Sequence, residues 1–126
     1  MISSLDSYPY DLDVYKNKIF VIDNYTSSVL IFDNMGNFLT EFPVNKNFSN
    51  LDISGIDVHD DLIFISDSEN NIIHILDLEG NLILEFGKFG SKYGEFNSPM
   101  KVIVDGNKIY VSDAYNYRIQ VFEFIR

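Results

Sequence analysis

Apolar residues in this chain fall in short runs of four to six, rich in Ile, Val, Phe and Tyr and broken by Asp, Asn and Gly. Such runs are strand vocabulary, and the breaks between them are turn chemistry. The runs also repeat. IFVID (Ile19–Asp23), IFISD (Ile63–Asp67) and IYVSD (Ile109–Asp113) end in aspartates 44 and 46 residues apart. Ten residues beyond each lies a second matched end, in VLIFD (Val29–Asp33), IHILD (Ile73–Asp77) and IQVFE (Ile119–Glu123). A shorter run precedes each first string: DLDV (Asp11–Val14), GIDV (Gly55–Val58) and KVIV (Lys101–Val104). NMGNFLTEF (Asn34–Phe42) is echoed by LEGNLILEF (Leu78–Phe86), and nothing matches it after the third repeat. Gly36 and Gly80 stand where a chain reversal calls for positive φ, and Asp105-Gly106 suits a tight hairpin. No stretch carries a 3.6-residue period with caps. The pattern predicts an all-β chain in which each repeat is a four-stranded antiparallel meander.

The strands are not cleanly two-faced. Ile19-Phe20-Val21-Ile22, Ile63-Phe64-Ile65 and Ile109-Tyr110-Val111 are apolar at odd and even positions alike. Successive side chains of a strand point to opposite faces, so both faces of each small sheet need cover. Radial stacking of consecutive meanders supplies it, which is the arrangement of β-propeller blades. One domain over residues 1–126 is expected, with blade 1 about 8–42, blade 2 about 53–86 and blade 3 about 99–126.

The stretch GSKYGEFNSPMKVIVDGNKIYVSDAYNYRIQVFEF (Gly90–Phe124) strongly resembles an NHL repeat. A Gly-rich loop and F-x-x-P (Phe96, Pro99) lead into the inner strand. A V-D-G-N hairpin, an I-Y-V-x-D strand and D-x-x-N-x-R-I-Q-V-F follow, the last carried by Asp113, Asn116, Arg118 and Ile119. The earlier repeats depart from it: Asn70 keeps the Asn, but Thr26 replaces it in the first, and Ser28 and Ile72 replace the Arg. The resemblance implies a propeller that is typically six-bladed and serves as a platform for protein or RNA, with lyases among the relatives.

Three repeats are half of such a ring. Their terminal members are as apolar as the middle one, whereas arrays that end in water carry polar caps. A second copy joined head to tail is expected to close a six-bladed homodimer, with residues 1–5 (MISSL) supplying the outer strand missing from the partner's blade 3. A contact that misses closure gives a filament instead. A fragment of a longer chain is the other alternative, against which Met1 as a start weighs.

Composition narrows the partners. A formal net charge of −10 repels phosphate backbones and anionic lipid, so neither nucleic acid nor a membrane surface is expected. With no cysteine, thiolate metal sites and Cys nucleophiles drop out. The opening MISSLDSYPYDLDVY shows no signal peptide, and no apolar run approaches the roughly 18 residues that span a bilayer. A cytoplasmic protein is expected, secretion remaining open should a leader have been removed.

Candidate chemistry is sparse. The row Asp23, Asp67, Asp113 can hold a cation, but an Asp recurring at every strand end is read as accepting N–H bonds from the following turn. Asp13 and Asp57 occupy equivalent inner-strand positions, where the third repeat has Ile103. Facing a channel, they can share protons or bind Ca²⁺ or Mg²⁺; solvating the channel is the plainer role. Arg118 can bind a carboxylate or phosphate, or pair with an Asp of its own or the adjacent repeat. His59 and His74 lack zinc-ligand spacing, and His74 stands at an apolar strand position. Phe89, Tyr93, Lys88 and Lys92 on the loop GKFGSKYGEF make an aromatic-basic patch, the best candidate binding surface. No catalytic motif and no required cofactor emerge. The expectation is a non-enzymatic interaction or scaffold module whose first partner is itself, with another protein or a small ligand as further partners. The alternatives are a divalent-cation-dependent propeller hydrolase or lyase acting at the central channel, and a structural filament subunit.

Overall fold

The computed structural model describes residues 7–125, which form three antiparallel sheets. The first runs β1 (Pro9–Tyr15), β2 (Lys18–Asp23), β3 (Ser28–Asp33), β4 (Phe38–Pro43) in chain order. The second repeats it with β5 (Ile53–His59), β6 (Leu62–Asp67), β7 (Ile72–Asp77) and β8 (Leu82–Phe86). The third has β9 (Pro99–Asp105), β10 (Lys108–Asp113) and β11 (Arg118–Glu123), with a 3-10 turn at Ala114–Asn116 and no fourth strand among the described residues. The expected strand exchange by residues 1–5 lies outside the described residues. No helix of the described residues is long and apolar enough to cross a membrane.

Register makes the repeats equivalent residue by residue. Asp13, Phe20 and Ile31 stand opposite one another across the first sheet, as do Asp57, Phe64 and Ile75 in the second and Ile103, Tyr110 and Val121 in the third. Turn chemistry holds this register. Gly36 and Gly80 take φ of 89 and 91, as their positions called for. At Gly80 a side chain is doubly barred, since its Cβ would lie 2.5 Å from the Phe42 ring. The β1–β2 and β5–β6 hairpins use Lys16-Asn17 and Asp60-Asp61, all four residues at φ between 48 and 63. Two consecutive left-handed residues make the turn whose twist matches paired strands, and here it is built without glycine.

The sheets stack face to face, with β1, β5 and β9 side by side at one end. Phe20, Ile22 and Ile31 of the first sheet meet Ile56, Val58 and Ile65 of the second, all buried. Phe64 and Ile75 on the other face of the second sheet meet Val102, Val104 and Val111 of the third. The middle sheet is thus covered on both faces, which is why its strands alternate so little.

The outer faces differ from each other. On the third sheet the outward face is open, with Ile103 at 51% exposure, Ile119 at 71% and Val121 at 43%. On the first sheet the inner strand is open at Leu12 (56%) and Val14 (62%), and the outer strand β4 at Phe38 (46%). Val21, Leu30 and Phe32 are buried there, packed with Ile19, and the Phe38 ring stands edge-on to Phe32 at 5.7 Å. The expectation of two uncovered terminal faces therefore holds for the third sheet and is corrected for the middle strands β2 and β3 of the first.

Candidate functional site at the inner strands

Each first string ends in an aspartate that ties its sheet together. Asp23 accepts the Tyr8 and Tyr25 N–H groups and the Thr26 hydroxyl. Asp67 accepts the Asp52, Glu69 and Asn70 N–H groups, the Asn70 amide and His74 Nε2 at 2.9 Å. Asp113 accepts the Asn97 N–H and the side chains of Asn116, Arg118 and Gln120. Burial would push the Asp67 and Asp113 carboxyls up, but these hydrogen bonds outweigh it and hold both below the usual range. His74 is fully buried, its other ring nitrogen 3.4 Å from the Asn45 amide. The row is structural, with its acceptors occupied inside each sheet.

The inner strands hold the more distinctive cluster. Asp13 Oδ2 accepts the Val58 N–H at 2.8 Å, and Asp57 Oδ2 accepts the Val104 N–H at 2.6 Å. In each case a carboxylate of one inner strand fastens the backbone of the next. Asp11 does the same to the Ile56 N–H and also receives Lys101 Nζ from the third sheet. The Lys101 ammonium bridges on to the Ile56 carbonyl at 3.2 Å, so one cation spans all three inner strands. Gly55 makes room: a Cβ there would lie 3.0 Å from Lys101 Cα and 3.1 Å from its Cδ. Asp11 and Lys101 were not singled out from the sequence, although positions 11, 55 and 101 reading Asp, Gly, Lys in otherwise similar repeats was the visible sign.

Burial pushes the Asp57 carboxyl up to about 6; the Val104 N–H opposes this, while a hydrogen bond and the charge of Asp13 add to it. A raised value means that the fold prefers neutral Asp57. That contribution is fully present below about pH 4 and lost as pH rises through about 6. Asn at this position keeps an acceptor for Val104 and removes the charge. Asp57→Asn is therefore expected to be more stable than wild type at pH 7.5, by about 1 kcal/mol after solvent screening at this half-buried position. The gap should close below pH 4. Thermal melts of both proteins at the two pH values check this, and a variant equally weakened at both would contradict it.

Among the described residues no group of three or more His, Asp or Glu side chains is arranged to hold a metal ion. Asp13 and Asp57 lie together as their spacing suggested, and each already gives an oxygen to a backbone N–H. Arg118 is engaged internally: Nε on Asp113, the terminal nitrogens on the carbonyls of Ser91, Lys92 and Glu95. It clamps the loop that carries the aromatic-basic patch. Phe89 and Tyr93 are exposed on that loop, with Lys92 beside them. Tyr93 also donates its hydroxyl to the Val121 carbonyl on the open edge of β11 at 2.9 Å.

Residues 96–122 match the family model of the NHL repeat. The chain is a run of β-propeller blades. In overall shape it is similar to virginiamycin B lyase from Staphylococcus aureus, at 14% identity and a TM-score of 0.69 over 99% of this chain and 44% of that one. A streptogramin B lyase matches at 19% and 0.74, over 96% of this chain and 41% of that one. Hydrazine synthase from Kuenenia stuttgartiensis matches at 17% and 0.70, over 94% and 34%. Identities this low establish the propeller fold and nothing of the chemistry. The chain spans well under half the length of each of these proteins. No curated protein sequence matches it significantly.

Proposed function

We propose that this run of blades is a non-enzymatic interaction or scaffold module that pairs head to tail with a second copy to close a six-bladed homodimeric propeller. The observation that carries this reading is the outward face of the third blade, where Ile103, Ile119 and Val121 meet water although the equivalent faces of the first two blades are each packed against the next blade. Such a face favours burial against another sheet. The polar groups that recur from blade to blade are occupied in fastening the blades, which leaves the loop patch of Phe89, Lys92 and Tyr93 as the surface offered to a further protein or small ligand. The other reading is a cation-dependent enzyme with Asp13 and Asp57 at the channel, lyases being among the proteins of similar shape. The hydrogen bonds those carboxylates already make to neighbouring strands favour the binding module. Size-exclusion chromatography with light scattering tests the pairing. A species of twice 14.5 kDa at micromolar concentration is expected. A single 14.5 kDa species would overturn it, and an open series of larger species would replace the ring with a filament.

A further inference from the structure

Two blade junctions inside the chain share one device. The residue at position 13 of the first inner strand contacts the backbone of Val58, and its equivalent, Asp57, contacts the backbone of Val104. Register makes Ile103 the third member of the donor-facing series and Val14 the first member of the series that includes Val58 and Val104. The two ends of the chain therefore present the two halves of one more junction. There the carboxylate is replaced by an apolar side chain, and both halves are open, Ile103 at 51% and Val14 at 62%.

We infer that the ring closes through an apolar seam in which Ile103 of one copy packs on Val14 of the other, with Leu12 beside it. Equivalence selects a second copy over an unrelated partner, because a blade end that continues the register is what each end of this chain needs. Length agrees, since two copies restore about the extent of the lyases, of which this chain covers 44% and 41%. The burial of Val21, Leu30 and Phe32 takes the middle strands of the first blade out of the receiving side, and on its inner strand Leu12 and Val14 remain open. A carboxylate at 103 would give the third junction the same hydrogen bond as the others. Isoleucine makes closure depend instead on burial, the interaction suited to two separately folded molecules meeting.

The seam presupposes the head-to-tail pairing proposed above, and two measurements separate them. The chain has no cysteine, so Val14→Cys and Ile103→Cys in one polypeptide introduce its only thiols. Under a mild thiol oxidant such as diamide, non-reducing electrophoresis should show a covalent dimer and nothing larger, while each single variant gives no such closed, doubly linked dimer. If wild type is dimeric by light scattering but the pair forms no intermolecular disulfide, the seam is wrong and the pairing stands. If wild type is monomeric, both fall. An intramolecular disulfide would also overturn the seam, and a ladder would keep the seam while replacing the ring by an open array. Ile103→Arg, at an exposed position that folding tolerates, serves as the second variant. It should weaken the dimer about thirtyfold, the loss of one buried anchor, and an unchanged dimer would refute the seam.

Discussion

Asp67→Ala is expected to destabilise the chain by about 3–5 kcal/mol, because it removes the acceptor from a buried polar knot and leaves its donors unpaired. Neither Asp67 nor His74 has measurable exposure, and the Asp67 carboxylate takes five hydrogen bonds, three from backbone N–H groups. Alanine leaves His74 without this partner at full burial and takes the acceptor from four part-buried donors. A loss of this size is a large fraction of a small domain's stability. Urea denaturation at pH 7 measures it, and a loss below about 1 kcal/mol would show that water enters the knot. A second substitution sharpens the test. The first blade has Leu30 where the second has His74, and Leu30 is equally buried. Adding His74→Leu to Asp67→Ala removes one stranded group and should restore part of the stability, so the two changes are not additive. Acid acts on this knot oppositely to Asp57. The Asp67 carboxyl is held below its usual range, so its contribution is present above that range and is lost as pH falls through the folded value.

The parts legible in the sequence were those written locally and more than once. Strand ends at Asp23, Asp67 and Asp113, the reversals at Gly36 and Gly80 and the three-stranded last blade of the described residues each follow from residues within one repeat. Contacts between repeats were harder to read. The Asp11–Lys101 pair joins residues 90 positions apart, and only stacking of three sheets brings them together. Its meaning depends on Gly55 having no side chain, and a lone glycine in a strand says only that something comes close. Asp13 and Asp57 were read as facing a channel, yet a sequence cannot show that a backbone N–H of the next strand waits opposite each one. The cover over Val21, Leu30 and Phe32 escaped for a related reason. Apolar pattern tells which faces need burial, and only packing tells which have obtained it. For Arg118 the sequence left open an Asp of its own or the adjacent repeat, and the structure gives Asp113 of its own; its three carbonyl acceptors belong to a loop whose path no local periodicity specifies.

Those carbonyls make Arg118 the second point of large expected effect. Its guanidinium donates Nε–H to Asp113 at 2.9 Å and its terminal nitrogens to the Ser91, Lys92 and Glu95 carbonyls at 2.8–2.9 Å. Arg118→Ala is expected to cost about 2–3 kcal/mol, since it takes a charged donor from buried Asp113 and unfastens the loop at three points. Lysine offers a single ammonium in place of a planar fork, so Arg118→Lys should recover less than half of that loss. Hydrogen exchange separates loop release from general weakening. Amides of residues 90–97 should lose protection in the alanine variant well before those of β10, whose ladder rests on backbone pairs with β9 and β11 that alanine keeps. Equal loss in both would mean that Asp113, and not the loop, carries the effect. The consequence for binding is distinct from the stability cost. Phe89, Lys92 and Tyr93 share the clamped loop, and a ligand that uses them meets a surface already ordered by Arg118. Arg118→Ala should then weaken such a ligand through the ordering cost, under conditions where the blades remain folded, although the arginine never touches it.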